Sequence, residues 1–142
     1  MQTVNSAGQG FPSSKRLLRR ADFQRVYEFG RRQFTGNMTV FFLRRTDWPE
    51  EAGPSIRVGF TVGRVLGGAV ERKRIRRRMR EAVRIHWPAE TAPVDIVFHP
   101  RKPVLNLPFE DVAQEVARGL QLALQRARVA GDAEPVKPLK RK

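Results

Sequence analysis

The sequence predicts an α/β fold of the α+β kind, a small α/β sandwich in which helices cover one small sheet. The elements run α-β-β-(β)-α-β-α, the bracketed strand being a short extra one. Three observations predict it. Runs rich in Val, Phe and Ile alternate with segments of helical periodicity. Turns bearing Gly and Pro separate them. The length of 142 residues suits one core of ordinary size.

Arg20 to Phe29 places Phe23, Val26 and Tyr27 at helical spacing, and Gly30 stands where such a helix would end. Met38 to Leu43 (MTVFFL) has the β-branched and aromatic content of a strand. The following TDWPEEAGPS is a loop by its Pro, Gly and acidic residues. Ile56 to Val62 alternates, with Ile56, Val58, Phe60 and Val62 on one face and Arg57, Gly59 and Thr61 on the other. The chain then passes Gly63, Gly67 and Gly68 into a helix over Val70 to Arg84. There Ile75, Met79, Ala82, Val83 and His86 share one sector at about 100° per residue. Pro88 stops this helix, because it disfavours helical geometry in the residue before it. Val94 to Phe98 is a short apolar strand, followed by the basic turn His99 to Pro103. Phe109 to Arg128 is the longest helix, with Phe109, Val112, Val116, Leu120, Ala123 and Ala127 on its inner face. Residues 1–12 and 130–142, small, polar or Pro- and Lys-rich, read as disordered tails around a single domain over 13–129.

The formal net charge is +14, from 28 Lys and Arg against 14 Asp and Glu, and the pI is about 11.6. Such an excess suits a polyanion. No stretch of 18 apolar residues and no signal-peptide core is present, so a cytoplasmic protein without a membrane partner is expected. The absence of cysteine excludes disulfides, thiolate nucleophiles and Cys-based zinc sites.

The charge is concentrated in the helix over Val70 to Arg84, which holds eight cations in fifteen positions. Lys73, Arg76, Arg77, Arg80 and Arg84 crowd the sector opposite the apolar stripe, diluted only by Glu71 and Glu81. A helix that docks one face on a sheet and arms the other with cations points to RNA or DNA. The preceding turn, GRVLGGAVERK, fails the Walker pattern, since Ala69 and Val70 follow Gly68 where Lys and a hydroxyl are needed. It reads as a tight crossover whose helix N-terminal amides are still able to hold an RNA phosphate.

No catalytic constellation is apparent. His86 and His99 are isolated, neither has a carboxylate at a spacing that suggests a metal pair or triad, and Asp95 within an apolar strand reads as a structural partner. Phe23, Tyr27 and Phe41 lie on elements that can flank one groove, with Arg25 and Arg57 near. Two readings stay open for them: stacking platforms for unpaired bases or ordinary core packing.

RVGFTVGR at 57–64 and LGGAVERKRIRRRMREAVR at 66–84 form one block of motifs. With SKRLLRRADFQRVYEFG upstream and DIVFHPRKPV downstream, they resemble the bacterial ribonuclease P protein component. The similarity covers about residues 14–125. The family's Arg-Asn-Arg, Lys/Arg-Arg and Arg-Glu signature falls on Arg72-Lys73-Arg74, Arg76-Arg77 and Arg80-Glu81, and Asp95, Arg101, Lys102 and Pro103 match a further segment.

The resemblance implies a subunit of an endoribonuclease that removes the 5′ leader of precursor tRNA, with catalysis and its Mg²⁺ in the RNA subunit and no cofactor bound by the protein. It implies the ribosomal protein S5 domain 2-like fold with a left-handed βαβ crossover. Its partners would be the ribonuclease P RNA subunit, through Arg64, Arg72, Lys73, Arg74, Arg76, Arg77 and Arg80, and precursor tRNA. The leader would lie in a cleft lined by Phe23, Tyr27, Phe41, Arg57, Arg76 and Arg80. Two positions depart from the family pattern: Lys73 replaces the signature Asn, exchanging a group that donates and accepts for one that only donates, and Gly68 replaces another Asn.

A ribosomal or ribosome-assembly protein of similar fold is the alternative. A DNA partner is not expected, for want of helix-turn-helix spacing or a zinc pattern. The sequence sets neither metal occupancy nor oligomeric state.

Overall fold

The computed structural model describes residues 15–16, 19–45 and 55–130. The predicted tails, apart from Ala130 at the end of the last helix, and most of the predicted loop over 46–55 lie outside them. Within them seven α-helices and strands follow in order: α1 (Arg20–Phe29), β1 (Arg31–Phe34), β2 (Met38–Arg44), β3 (Arg57–Phe60), α2 (Ala69–Ile85), β4 (Val94–Pro100) and α3 (Phe109–Ala130), with short 3₁₀ turns at Arg64–Leu66 and Lys102–Leu105. The strands form one sheet in the order β1-β2-β4-β3. The β1–β2 and β2–β4 pairs are antiparallel and β3–β4 is parallel, so α2 is the crossover between adjacent parallel strands.

The two faces of the sheet are covered differently. Met38, Val40, Phe42, Val58, Ile96 and Phe98 point to one side, where Ile75, Met79 and Val83 of α2 and Val112, Val116 and Leu120 of α3 close the main core. On the other side the buried apolar cluster is only Val26, Phe41 and Val97, with Phe23, Tyr27 and Leu43 packed around it under α1, beside the buried polar residues Asp22, Thr39 and Asp95. Among the described residues α1 is the one helix on that face, and it lies over β2 and β4.

The helical stripes follow the predicted spacing, with one correction. His86, assigned to the apolar sector of α2, is exposed as the C-cap residue, its N–H donating to the Ala82 carbonyl at 3.1 Å. The helix has ended there, so the 100° progression no longer sets its direction. Strand β1 is the short extra strand, and its RRQF pattern carries no apolar alternation because it is an exposed edge. Its hairpin to β2 turns through Gly36 at φ +104°. Glu115 of α3 clamps that hairpin, accepting from the Thr35 hydroxyl at 2.7 Å, the Asn37 N–H at 2.6 Å and the Asn37 side-chain amide at 3.0 Å.

Gly30 joins α1 to β1 where no other residue fits. A Cβ there would lie 2.5 Å from both the Val26 and the Phe42 carbonyl oxygens. The crossover into α2 similarly needs Gly67, at φ +132° and with the Glu71 side chain 2.9 Å from a notional Cβ.

Candidate nucleic-acid interface

Two surfaces emerge, one on each side of the sheet. The first is the outer face of α2. Ile75, Met79, Ala82 and Val83 are buried, which turns Lys73, Arg76, Arg77 and Arg80 away from the core. Among the described residues none of these four makes an ion pair. Burial pushes the Arg80 guanidinium below the usual arginine range, and neighbouring Arg16, Arg76 and Arg77 push the same way. Cations gathered against their own repulsion mark a surface awaiting an anion. Arg16 extends this surface around the sheet, since it bridges in parallel to Val58 on the edge strand β3.

Other cations of the helix are engaged within the protein. Arg72 Nε donates to the Gly67 carbonyl at 3.2 Å and Arg74 Nε to the Leu105 carbonyl at 3.1 Å. Arg78 donates to the carbonyls of Leu105 and Leu107, locking the turn before α3. Arg84 pairs with Glu81 at 2.5 Å. Arg74 remains exposed and Arg72 half-buried, and Arg64 is exposed in the 3₁₀ turn Arg64–Leu66. The expected phosphate cradle at the α2 N-terminus is partly filled by the protein itself: the Gly68 N–H donates to the Glu71 carboxylate at 3.0 Å.

The second surface is the groove between α1 and the open sheet face. Phe23, Tyr27 and Phe41 do come together, in edge-to-face contacts of 6.5 Å for Phe23–Tyr27 and 5.2 Å for Tyr27–Phe41. His99, read from the sequence as an isolated residue of a basic turn, instead lies in strand β4, which runs on to Pro100, and joins them at 5.2 Å from Tyr27 and 4.7 Å from Phe41. The Tyr27 hydroxyl lies 2.6 Å from Thr61 Oγ1 and 2.7 Å from His99 Nε2, binding α1 to the sheet. Phe41 is 8% exposed and forms the floor, whereas Phe23 and Tyr27 keep partly open rings. Phe41 is thus a core residue, and Phe23 and Tyr27 pack on it while remaining partly exposed.

Arg57, expected to line the leader cleft, is engaged within the protein. It donates twice to Asp95, Nε to Oδ1 and Nη2 to Oδ2, both at 2.9 Å, and its Nη1 lies 3.5 Å from Asp22 of α1. Arg45 reaches the same Asp95 at 2.6 Å and donates to the Ser55 carbonyl at 2.7 Å. Burial opposes the charge on Arg57, but the hydrogen bonds and charge of Asp95, with Asp22, outweigh it and hold the guanidinium above its usual range. On Arg45, burial prevails and the shift is downward. Asp95 is thus the structural partner the sequence suggested, and the signal missed was that its partners are arginines on β3 and just after β2.

No group of three or more His, Asp or Glu able to hold a metal ion occurs among the described residues, and none of their helices is long and apolar enough to cross a membrane.

Residues 11–124 match the family model described as Ribonuclease P. The chain is 42% identical over 101 residues to the ribonuclease P protein component of Symbiobacterium thermophilum, covering 71% of this chain and 84% of that one. It is 37% identical over 127 residues to the component of Chloroflexus aggregans, covering 89% and 88%. Among solved structures, the RNase P protein of Staphylococcus aureus superposes with a TM-score of 0.59 at 27% identity, covering 81% of this chain and 96% of that one.

Proposed function

The chain belongs to the ribonuclease P protein family, and from that premise we propose that it serves as the protein subunit of the ribonuclease P endoribonuclease, in the removal of the 5′ leader from precursor tRNA. The family match favours this over a ribosomal protein of similar fold. The observation in this chain that carries the reading is the outward face of α2, where Arg76, Arg77 and Arg80 stand together without an acidic partner among the described residues. A folded helix bearing such a face binds phosphates, and here they belong to the RNA subunit, with Arg64, Arg72, Lys73 and Arg74 continuing the contact. Catalysis, with its Mg²⁺, is assigned to that RNA, and the assembly to the cytoplasm.

The leader takes the groove on the opposite face. Phe23 and Tyr27 present rings to its bases, Phe41 supports them from below, and Arg76 and Arg80 approach from the β3 edge. Arg57 we assign to holding α1 in place through Asp22 and Asp95 rather than to touching the leader. The test is Tyr27→Ala in a holoenzyme reconstituted with the RNA subunit, measured against precursor and mature tRNA. The expected result is a loss of about 1 to 3 kcal/mol for the precursor alone, the range for one stacked base. Equal losses for both tRNAs would leave the ring a core residue and remove the groove.

A further inference from the structure

Phe34 is the most exposed aromatic ring among the described residues, at 56%. It stands on the edge strand β1, outside the cover of α1. Two cations flank it: the Arg32 guanidinium carbon lies 5.8 Å from the ring centroid and that of Arg101 5.5 Å. Arg101 is itself held, its Nη2 donating to Thr39 Oγ1 at 3.1 Å and its N–H to the Asn37 carbonyl at 2.9 Å. The Glu115 clamp fixes the turn beneath. The register sets Phe34 opposite Thr39, and Thr39 opposite His99. Residues directly opposite point to one face, so Phe34 lies in the same cross-strand row as His99, two strands further along the groove floor.

We propose that Phe34, Arg32 and Arg101 form a second subsite for single-stranded RNA, taking a leader nucleotide beyond those on Tyr27 and Phe23. The inference rests on the proposed leader groove. Its direction follows from the sheet order: the RNA-binding cations of α2 and Arg16 gather at the β3 edge, and Phe34 marks the opposite, β1 edge. A strand entering beside the RNA subunit crosses the aromatic cluster first and reaches Phe34 last. There the base stacks on the ring or on a guanidinium plane, and the cations meet its phosphates. Charge selects this occupant, because a protein docking on a bare apolar edge would not call for two arginines beside the ring.

The experiment measures the affinity of the reconstituted holoenzyme for precursor tRNAs whose leaders lengthen one nucleotide at a time. Phe34→Ala should weaken binding about five-fold or more, the lower end for removing one stacking ring, but only above a threshold length longer than that at which Tyr27→Ala first acts. Phe34→Trp should restore it, and Arg32→Ala should lower the salt dependence for long leaders only. A length-independent loss, or none at any length, overturns the subsite. If Tyr27→Ala retains its leader-specific effect in that case, the groove stands and only the extension to Phe34 fails; if Tyr27→Ala is silent as well, the groove fails with it.

Discussion

Asp95 is completely buried and serves two arginines, Arg45 and Arg57, the second of which also reaches Asp22 on α1. Removing its charge while leaving its shape strands two guanidinium groups in a low dielectric. Asp95→Asn should therefore lower the unfolding free energy by about 3–5 kcal/mol, read from urea denaturation of the purified protein; an unchanged midpoint would mean water already solvates the pair. Tyr27→Phe asks a finer question. It deletes only the hydroxyl that meets Thr61 and His99, so stability should fall by about 1 kcal/mol while the preference for leader-bearing tRNA persists, because the ring remains. Residue-scale chemistry was only half legible in the sequence. Asp95 announced itself as a charge inside an apolar run, but its link to Arg57 spans 38 positions and depends on β3 lying beside β4. His99, read as an isolated turn residue, and Phe34, given no role, were missed for the same reason: one row of the sheet unites them, and a row exists only once the register is set.

At the scale of elements the sequence was far more explicit. Helix α1 spans Arg20–Phe29 as its spacing and Gly30 require, and α2 and α3 keep the predicted apolar stripes, because burial against a sheet enforces a period that survives in the sequence. An edge strand has no such enforcement, which is why β1 left no comparable mark. Within α2 the cations divide by what already binds them. Replacing Arg76 and Arg77 together with Ala should weaken binding of the RNA subunit and flatten the log–log salt slope by about 0.7 to 0.9 for each phosphate no longer neutralised. Arg84→Ala, which removes a partner of Glu81, should change that slope much less. Equal slopes for both variants would mean that the helix contributes only a diffuse field.

The whole molecule has a net charge of +14, carried on an architecture that keeps its two proposed RNA surfaces apart. The main core, closed by α2 and α3, backs one face, the α1 groove occupies the other, and the cations of α2 continue to Arg16 at the β3 edge between them. Such a body can hold the RNA subunit and a substrate strand at once, and its charge relieves the repulsion between two polyanions that would otherwise fall to magnesium ions. The protein should therefore matter most where Mg²⁺ is scarce. Added to the RNA subunit, it should accelerate precursor tRNA cleavage strongly at low Mg²⁺, with the advantage shrinking as Mg²⁺ rises. The Arg76 and Arg77 double replacement should need more Mg²⁺ to reach the same rate. Cleavage by the protein without RNA would place the chemistry in this chain, and an acceleration independent of Mg²⁺ would reduce the role of its charge to simple tethering; single-turnover rates across a magnesium titration distinguish all three.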